Sequence, residues 1–390
     1  GPGALRFPDM IGRALLASLL ALHLAAVPAA AAPDDCRPEK GTLQLPAGEP
    51  WAQKRLDVKN AWRLTRGAGV TVAVIDSGVD YGHPQLRVSK IVDETHTGHH
   101  DCVGHGTAVS GIIAARYVAG VPFHGVAPDA RLVVLKQSNK RDGDIRKLVD
   151  AINHAVDAGA DVINVSVRAS DHTSLRAAVQ RALASDIVVV AAAGNVTGPD
   201  DESVPAYPAA YDGVLSVGGA APDGRRVDSS NAATPVGVVG PGTDITAPWP
   251  GKAYKRGLEG TSYATPYVAG TAALVRARFP GLNQEQVRRR IIATADGTAG
   301  AGTGAGMVNP VLAVTAVLPY EAANAPVVAD PPPTALPADA IAKVPPRDET
   351  AIGIATAVGG GALLAAMVAV ALALLVPLGR RRGWRPGRTS

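Results

Sequence analysis

Five short runs rich in valine and isoleucine constrain this sequence most: "VTVAVID", "RLVVLK", "DVINVSV", "DIVVVAAA" and "GVLSVGG", all between residues 70 and 219. Their apolar residues are near-continuous rather than alternating, which suits strands covered on both faces of a parallel sheet. Helical patterns lie between them. In "DIRKLVDAINHAVDAG", Ile145, Leu148, Val149, Ile152, Ala155 and Val156 repeat at the three-four spacing of one helix face, leaving His154 on the solvated side. Strand and helix alternating in this way predict a doubly wound α/β domain, a mostly parallel sheet flanked by helices, with its functional site at the carboxyl ends of the strands. A chain of 390 residues that is 47% hydrophobic has enough apolar surface for one large core or two moderate ones.

The regions outside this domain have other patterns. Residues 10–32 hold one arginine, an apolar stretch of about a dozen residues and then small residues, the three-part pattern of a secretory signal peptide cleaved within residues 29–32. Residues 33–50 form a short N-terminal extension. The domain occupies residues 51–318. Residues 319–350 are proline-rich and lack a core pattern, which reads as a semi-extended tether, held away from the domain or laid along its surface. Residues 351–379 carry no charge and are long enough to cross a bilayer as a helix. The tail, residues 380–390, contains Arg380, Arg381, Arg382, Arg385 and Arg388; arginines against one end of a span mark its cytoplasmic side. The domain is therefore expected at the cell membrane on the extracytoplasmic side, with the C-terminus in the cytoplasm.

The formal net charge of +4 is a topology signal. Removing the five tail arginines and the net +1 of Arg6, Asp9 and Arg13 leaves −2 for the exported part, so nucleic acid is excluded as a partner. Two cysteines are present, Cys36 and Cys102, both in the exported part; an even count there favours one disulfide over two buried thiols.

Three stretches carry chemistry together. "VAVIDSGVD" ends a buried strand in Asp76, "VGHGTAVSG" opens an apolar helix at His105, and "EGTSYATPYVAG" opens another at Ser262. Singly, each has a plainer reading, a turn residue or a helix cap. Jointly, they supply a serine nucleophile, a histidine to accept its proton and a carboxylate to hold that histidine. Gly104, Gly106 and Gly260 allow close backbone approach, and the helix N-terminus at Ser262 offers N–H groups to a developing oxyanion. Pro266 is expected to cost little, lying near a helix entrance where N–H groups lack acceptors. "VVVAAAGN" ends in Gly194 and Asn195; the Asn195 amide is a candidate oxyanion donor, with a turn residue as the plainer alternative.

These stretches, in the order Asp, His, Ser, resemble the signatures of subtilisin-family serine proteases over about residues 51–317. Within that family the chain resembles the mycosins, membrane-anchored proteases of type VII secretion systems, in the tyrosine of "GTSYATP", the cysteine-bearing extension, the proline-rich tether and the C-terminal span. The resemblance implies a subtilisin-like fold and peptide hydrolysis without a cofactor or catalytic metal. It implies exported protein substrates and partners in a secretion membrane complex. It also places Ser166, Val167, Arg168 and Gly194 in the substrate groove. Many subtilases have a Ser-x-Gly strand there; "SVRAS" puts Arg168 in place of glycine, which narrows the groove or favours acidic groups. The extension is too short to be the usual removable chaperone prodomain. A structural secretion subunit with a vestigial site is the rival reading, and an esterase on the same triad a weaker one. Two further patterns are set aside. "HTGHHDC" has histidines in a polar loop without a second ligand group, and "GTAGAGTGAG" neither follows a strand nor opens a helix.

Overall fold

A computed structural model describes residues 36–139, 143–196, 203–297, 300–319, 321 and 349–383. The expected signal peptide, nearly all of the proline-rich tether, and Arg385 and Arg388 lie outside the described residues. The chain divides into two units, residues 1–323 and 324–390.

The first unit begins with helices α1 (Trp51–Leu56) and α2 (Val58–Ala61). Then come strands β1 (Thr71–Asp76) and β2 (Val88–Asp93), helix α3 (His105–Ala114), β3 (Arg131–Lys136), α4 (Ile145–Asp157), β4 (Val162–Val165), α5 (Thr173–Ala184) and β5 (Val188–Ala192). The remainder is β6 (Leu215–Ala220), β7 (Val238–Pro241), the hairpin β8 (Ile245–Trp249) and β9 (Ala253–Leu258), then α6 (Thr261–Arg278), α7 (Gln284–Ala293) and α8 (Pro310–Thr315). The five apolar runs are β1, β3, β4, β5 and β6. They sit inside a seven-stranded parallel sheet of order β2-β3-β1-β4-β5-β6-β7.

Both faces of this sheet are covered, which is why its central strands read as unbroken apolar runs. Along β1, Val72 and Val74 enter one core with Ile112 and Ile113 of α3 and Val268 and Ala272 of α6. Ala73 and Ile75 enter the other, with Leu148 and Ile152 of α4 and Leu175 and Val179 of α5. Asp144 caps α4 by accepting from the Arg146 and Lys147 N–H groups. The strand order reverses beside β1, whose neighbours β3 and β4 both follow it in sequence. Crevices at such switch points open outside the strand ends, and Asp76 is the last residue of β1.

Helix α6 runs through the core, buried from Tyr263 to Arg276. Pro266 is its sixth residue, beyond the N–H groups that lack acceptors, so the Ser262 carbonyl loses a helix bond. The expectation that Pro266 costs little at a helix entrance is corrected here; packing on all sides sustains the helix. His154 is half-exposed as expected, but its Nδ1 lies 2.6 Å from Glu94 Oε1.

The extension lies on this domain. Thr42 and Tyr254 exchange two backbone hydrogen bonds of 2.8 Å, adding a bridge to β9, and Trp249 Nε1 donates to the Glu39 carbonyl. Cys36 and Cys102 form a disulfide, sequence separation 66. It ties the extension to the loop leading into α3.

In the second unit the described residues form α9 (Glu349–Arg381). Its segment Gly353–Gly379, 27 residues with mean hydropathy 2.6, is long and apolar enough to cross a membrane. At 1.5 Å per residue it spans roughly 40 Å, more than the ~30 Å hydrocarbon core.

Replacing both cysteines by serine should lower the stability of the first unit by about 4 kcal/mol, the chain-entropy value for a loop of this length. Urea unfolding of the paired variants measures it.

Candidate active site

Asp76, His105 and Ser262 stand at three element ends: the last residue of β1, the first of α3 and the second of α6. The fold brings them together. His105 Nδ1 lies 2.8 Å from Asp76 Oδ1, and His105 Nε2 lies 2.8 Å from Ser262 Oγ. Asp76 is buried, whereas the His105 side chain keeps 17% of its surface exposed at the floor of a cleft. In this arrangement the histidine donates from Nδ1 to the carboxylate and presents Nε2 as acceptor to the serine hydroxyl. Tyr263, the tyrosine of "GTSYATP", packs on the imidazole with ring centroids 4.8 Å apart.

Close backbone approach makes this geometry reachable. A Cβ on Gly106 would fall 2.1 Å from the Gly78 carbonyl oxygen, and one on Gly104, which has φ +85°, would strike the Trp249 ring. Only glycine lets the first turn of α3 lie against the chain leaving β1.

The loop before α3 is organised by Asp101, which sequence reasoning missed. Its Oδ1 accepts from Ser77 Oγ (2.8 Å) and the N–H groups of Val103 and Gly104; its Oδ2 accepts from the N–H and hydroxyl of Thr107. Ser77 Oγ in turn accepts from Gly106 N, and Ser77 N donates to Asp76 Oδ1. One buried carboxylate therefore joins the end of β1 to the start of α3. Lys136, at the end of β3, is also fully buried. Its ammonium donates to the Gly98 and His100 carbonyls, 2.8 Å each, inside the "HTGHHDC" loop. Burial lowers its pKa, opposed by Asp93 and Asp101. In sequence both residues look like ordinary loop and strand-end charges.

Asn195 follows β5 and borders the cleft beside Ser262. Its Oδ1 accepts from Thr261 N (2.9 Å) and Thr261 Oγ1 (3.1 Å). Two donors on the oxygen set the orientation of the amide, so Nδ2 is the end left to donate. That Nδ2 lies 3.0 Å from where a Cβ on Gly260 would stand, and Gly260 has φ +134°. The orienting role of Thr261 was missed by sequence reasoning, although it adjoins Ser262. Ser166, Val167, Arg168 and Gly194 all line the same cleft, of about 1090 Å³.

A doubly wound parallel sheet with this site at the ends of its strands defines a subtilisin-like serine endopeptidase. The Subtilase family model (Peptidase_S8) matches residues 67–311. Mycosin-1 of Mycolicibacterium smegmatis is 36% identical over 354 residues, 75% of this chain and 78% of the relative. Mycosin-3 of Mycobacterium tuberculosis is 36% identical over 402 residues, 85% of this chain and 84% of the relative. Among solved structures, one described as a serine protease MycP1, an essential component of the type VII (ESX-1) secretion system, aligns with TM-score 0.64 and 34% identity, covering 72% of this chain and 95% of that one. The chain belongs to the subtilase family and, within it, to the mycosins.

Asn195→Leu should lower kcat by about 10²–10³-fold, the cost of removing such a donor from subtilisin. Thr261→Val should lower kcat by roughly tenfold with KM nearly unchanged, since it removes one of the two bonds orienting the amide. In the double variant the Thr261→Val effect should largely vanish, a non-additivity that steady-state kinetics on all four proteins reveals.

Proposed function

We propose that this chain is a membrane-anchored mycosin in which Ser262 is the nucleophile, His105 the general base and Asp76 its orienting carboxylate, and that it selectively cleaves exported proteins at a type VII secretion membrane complex. The observation that carries the catalytic part is the unbroken pair of 2.8 Å contacts from Asp76 through His105 to Ser262. Ser262 Oγ attacks the scissile carbonyl carbon as its proton passes to His105 Nε2. Buried Asp76 holds the ring and stabilises the imidazolium. Asn195 Nδ2 and N–H groups at the start of α6 receive the oxyanion. His105 then protonates the departing amine, leaving an acyl group on Ser262. A water gives a proton to His105 as it attacks the acyl carbon; when the tetrahedral adduct collapses, His105 returns that proton to Ser262 Oγ and the new carboxyl end is released.

The membrane side of the proposal rests on separate features. The Gly353–Gly379 segment of α9 is followed at once by Arg380, Arg381 and Arg382, which favours a cytoplasmic C-terminus. The signal-like residues 10–32 favour export of the catalytic unit, with residues 33–50 retained as an extension and residues 319–350 as the tether. A tether and a span keep a protease near one place at high effective concentration, which suits a component of a fixed machine. Relatives described as type VII secretion components support that setting.

Ser262→Ala, His105→Ala and Asp76→Ala should each reduce turnover by about 10⁴–10⁶-fold, and combining them should add little, because a triad acts as a unit. For the secretion role, three strains decide: intact, Ser262→Ala, and deleted for the gene. The proposal expects Ser262→Ala to export normally but fail to process one or a few exported proteins, while deletion stops export. Normal export and processing in all three would refute it.

A further inference from the structure

One wall of the cleft carries an arginine. Strands β4 and β5 are parallel neighbours, and beyond their carboxyl ends the chain from Ser166 to Arg168 faces the chain from Ala192 to Asn195 across a crevice. Arg168 reaches over that crevice: its Nη1 donates to the Asn195 carbonyl oxygen at 3.3 Å. Gly194 has φ +91°, and a Cβ there would lie 3.7 Å from Arg168 Cδ and 2.9 Å from Ala206 Cβ, so the opposite wall is kept bare where the arginine passes.

The charge of Arg168 is the unusual part. Arg176 and Arg181, further along the same chain segment, pair with Asp171 and Asp157, whereas Arg168 forms no ion pair among the described residues. The carboxylates that share the cleft form no ion pair with it: Asp76 is held by His105, Glu259 accepts from the Ser229 and Thr243 hydroxyls, and Asp228 is exposed on the cleft wall. A guanidinium offers five N–H donors in a planar fork matched to a carboxylate, and the Asn195 carbonyl takes one of them.

We propose that Arg168 makes this protease selective for an acidic side chain, glutamate or aspartate, in the crevice between the ends of β4 and β5, beside the scissile bond. The proposal rests on the catalytic reading of Ser262. Substrate carboxylate and Arg168 form a charge-assisted pair, one edge of the guanidinium staying on the Asn195 carbonyl. Arg168 is then a specificity determinant that touches substrate, and uncharged side chains gain nothing from it.

The test uses the full-length protein in detergent and four synthetic peptide libraries, randomised around a fixed central Glu, Gln, Ala or Lys, with cleavage after that residue mapped by mass spectrometry. We expect kcat/KM for Glu to exceed that for Gln by about tenfold at low salt, as one charge-assisted pair supplies, and the ratio to shrink as salt rises. Arg168→Gln should bring the two within about twofold, and Arg168→Glu should move the preference to Lys. Equal rates for Glu and Gln in the native protein would overturn the proposal, as would a Glu preference that survives Arg168→Gln. If turnover is too slow to map, the same libraries are scored as competitors of fluorophosphonate labelling of Ser262, and equal competition by Glu and Gln overturns it. Absence of labelling at Ser262 is a different failure: it removes the catalytic reading itself, and the proposal with it.

Discussion

The contact between Gly106 and the Gly78 carbonyl is the constraint on which the site depends. β1 and α3 belong to different layers, and a histidine on one meets a carboxylate on the other only if their backbones nearly touch. The 2.1 Å that a Cβ would leave shows there is no room for any side chain. Around this contact the polar groups close on themselves: Asp101 grips Ser77 on one side and the N–H groups of Val103, Gly104 and Thr107 on the other. Five donors satisfy both oxygens of this one buried carboxylate, and the Ser77 bond joins the chain leaving β1 to the groups that open α3.

The same loop is where the N-terminal extension is fastened. Cys102 adjoins Asp101, and its partner Cys36 belongs to a segment that also pairs with β9 and bonds to Trp249. Trp249 in turn fills the space beside Gly104 that a side chain would need. Extension, hairpin and catalytic loop are thus one packed assembly, and Lys136 supplies its internal cation by satisfying the Gly98 and His100 carbonyls. A covalent link, a strand pairing and a buried indole bond together hold residues 36–42 against the domain.

Much of this was legible in the residues, and the limits are physical. The five central strands announced themselves because burial on both faces leaves mostly apolar side chains. Edge strand β2, with Ser89 and Lys90 exposed, did not, since a half-exposed strand carries little pattern, and neither did β7, whose "VVGP" places a glycine and a proline after only two valines. Asp76, His105, Ser262 and Asn195, which the fold gathers around one cleft, stood out through chemistry that needs particular residue types at element ends. Asp101, Lys136 and Thr261 act by position alone: nothing in an isolated Asp, Lys or Thr says that it will be buried. Pro266 shows the reverse limit, because a local rule about helix entrances was applied beyond the first turn of the helix.

The central claim is that Ser262 becomes acylated with His105 taking its proton. Mixing the protein with p-nitrophenyl acetate, quenching in acid after the first turnover and mapping the acetyl group by mass spectrometry tests it most directly. The account predicts a burst of about one nitrophenolate per protein and an acetyl group confined to the peptide that contains Ser262, with neither seen in His105→Ala. Peptide hydrolysis without a burst, or an acetyl group on a residue other than Ser262, would contradict it.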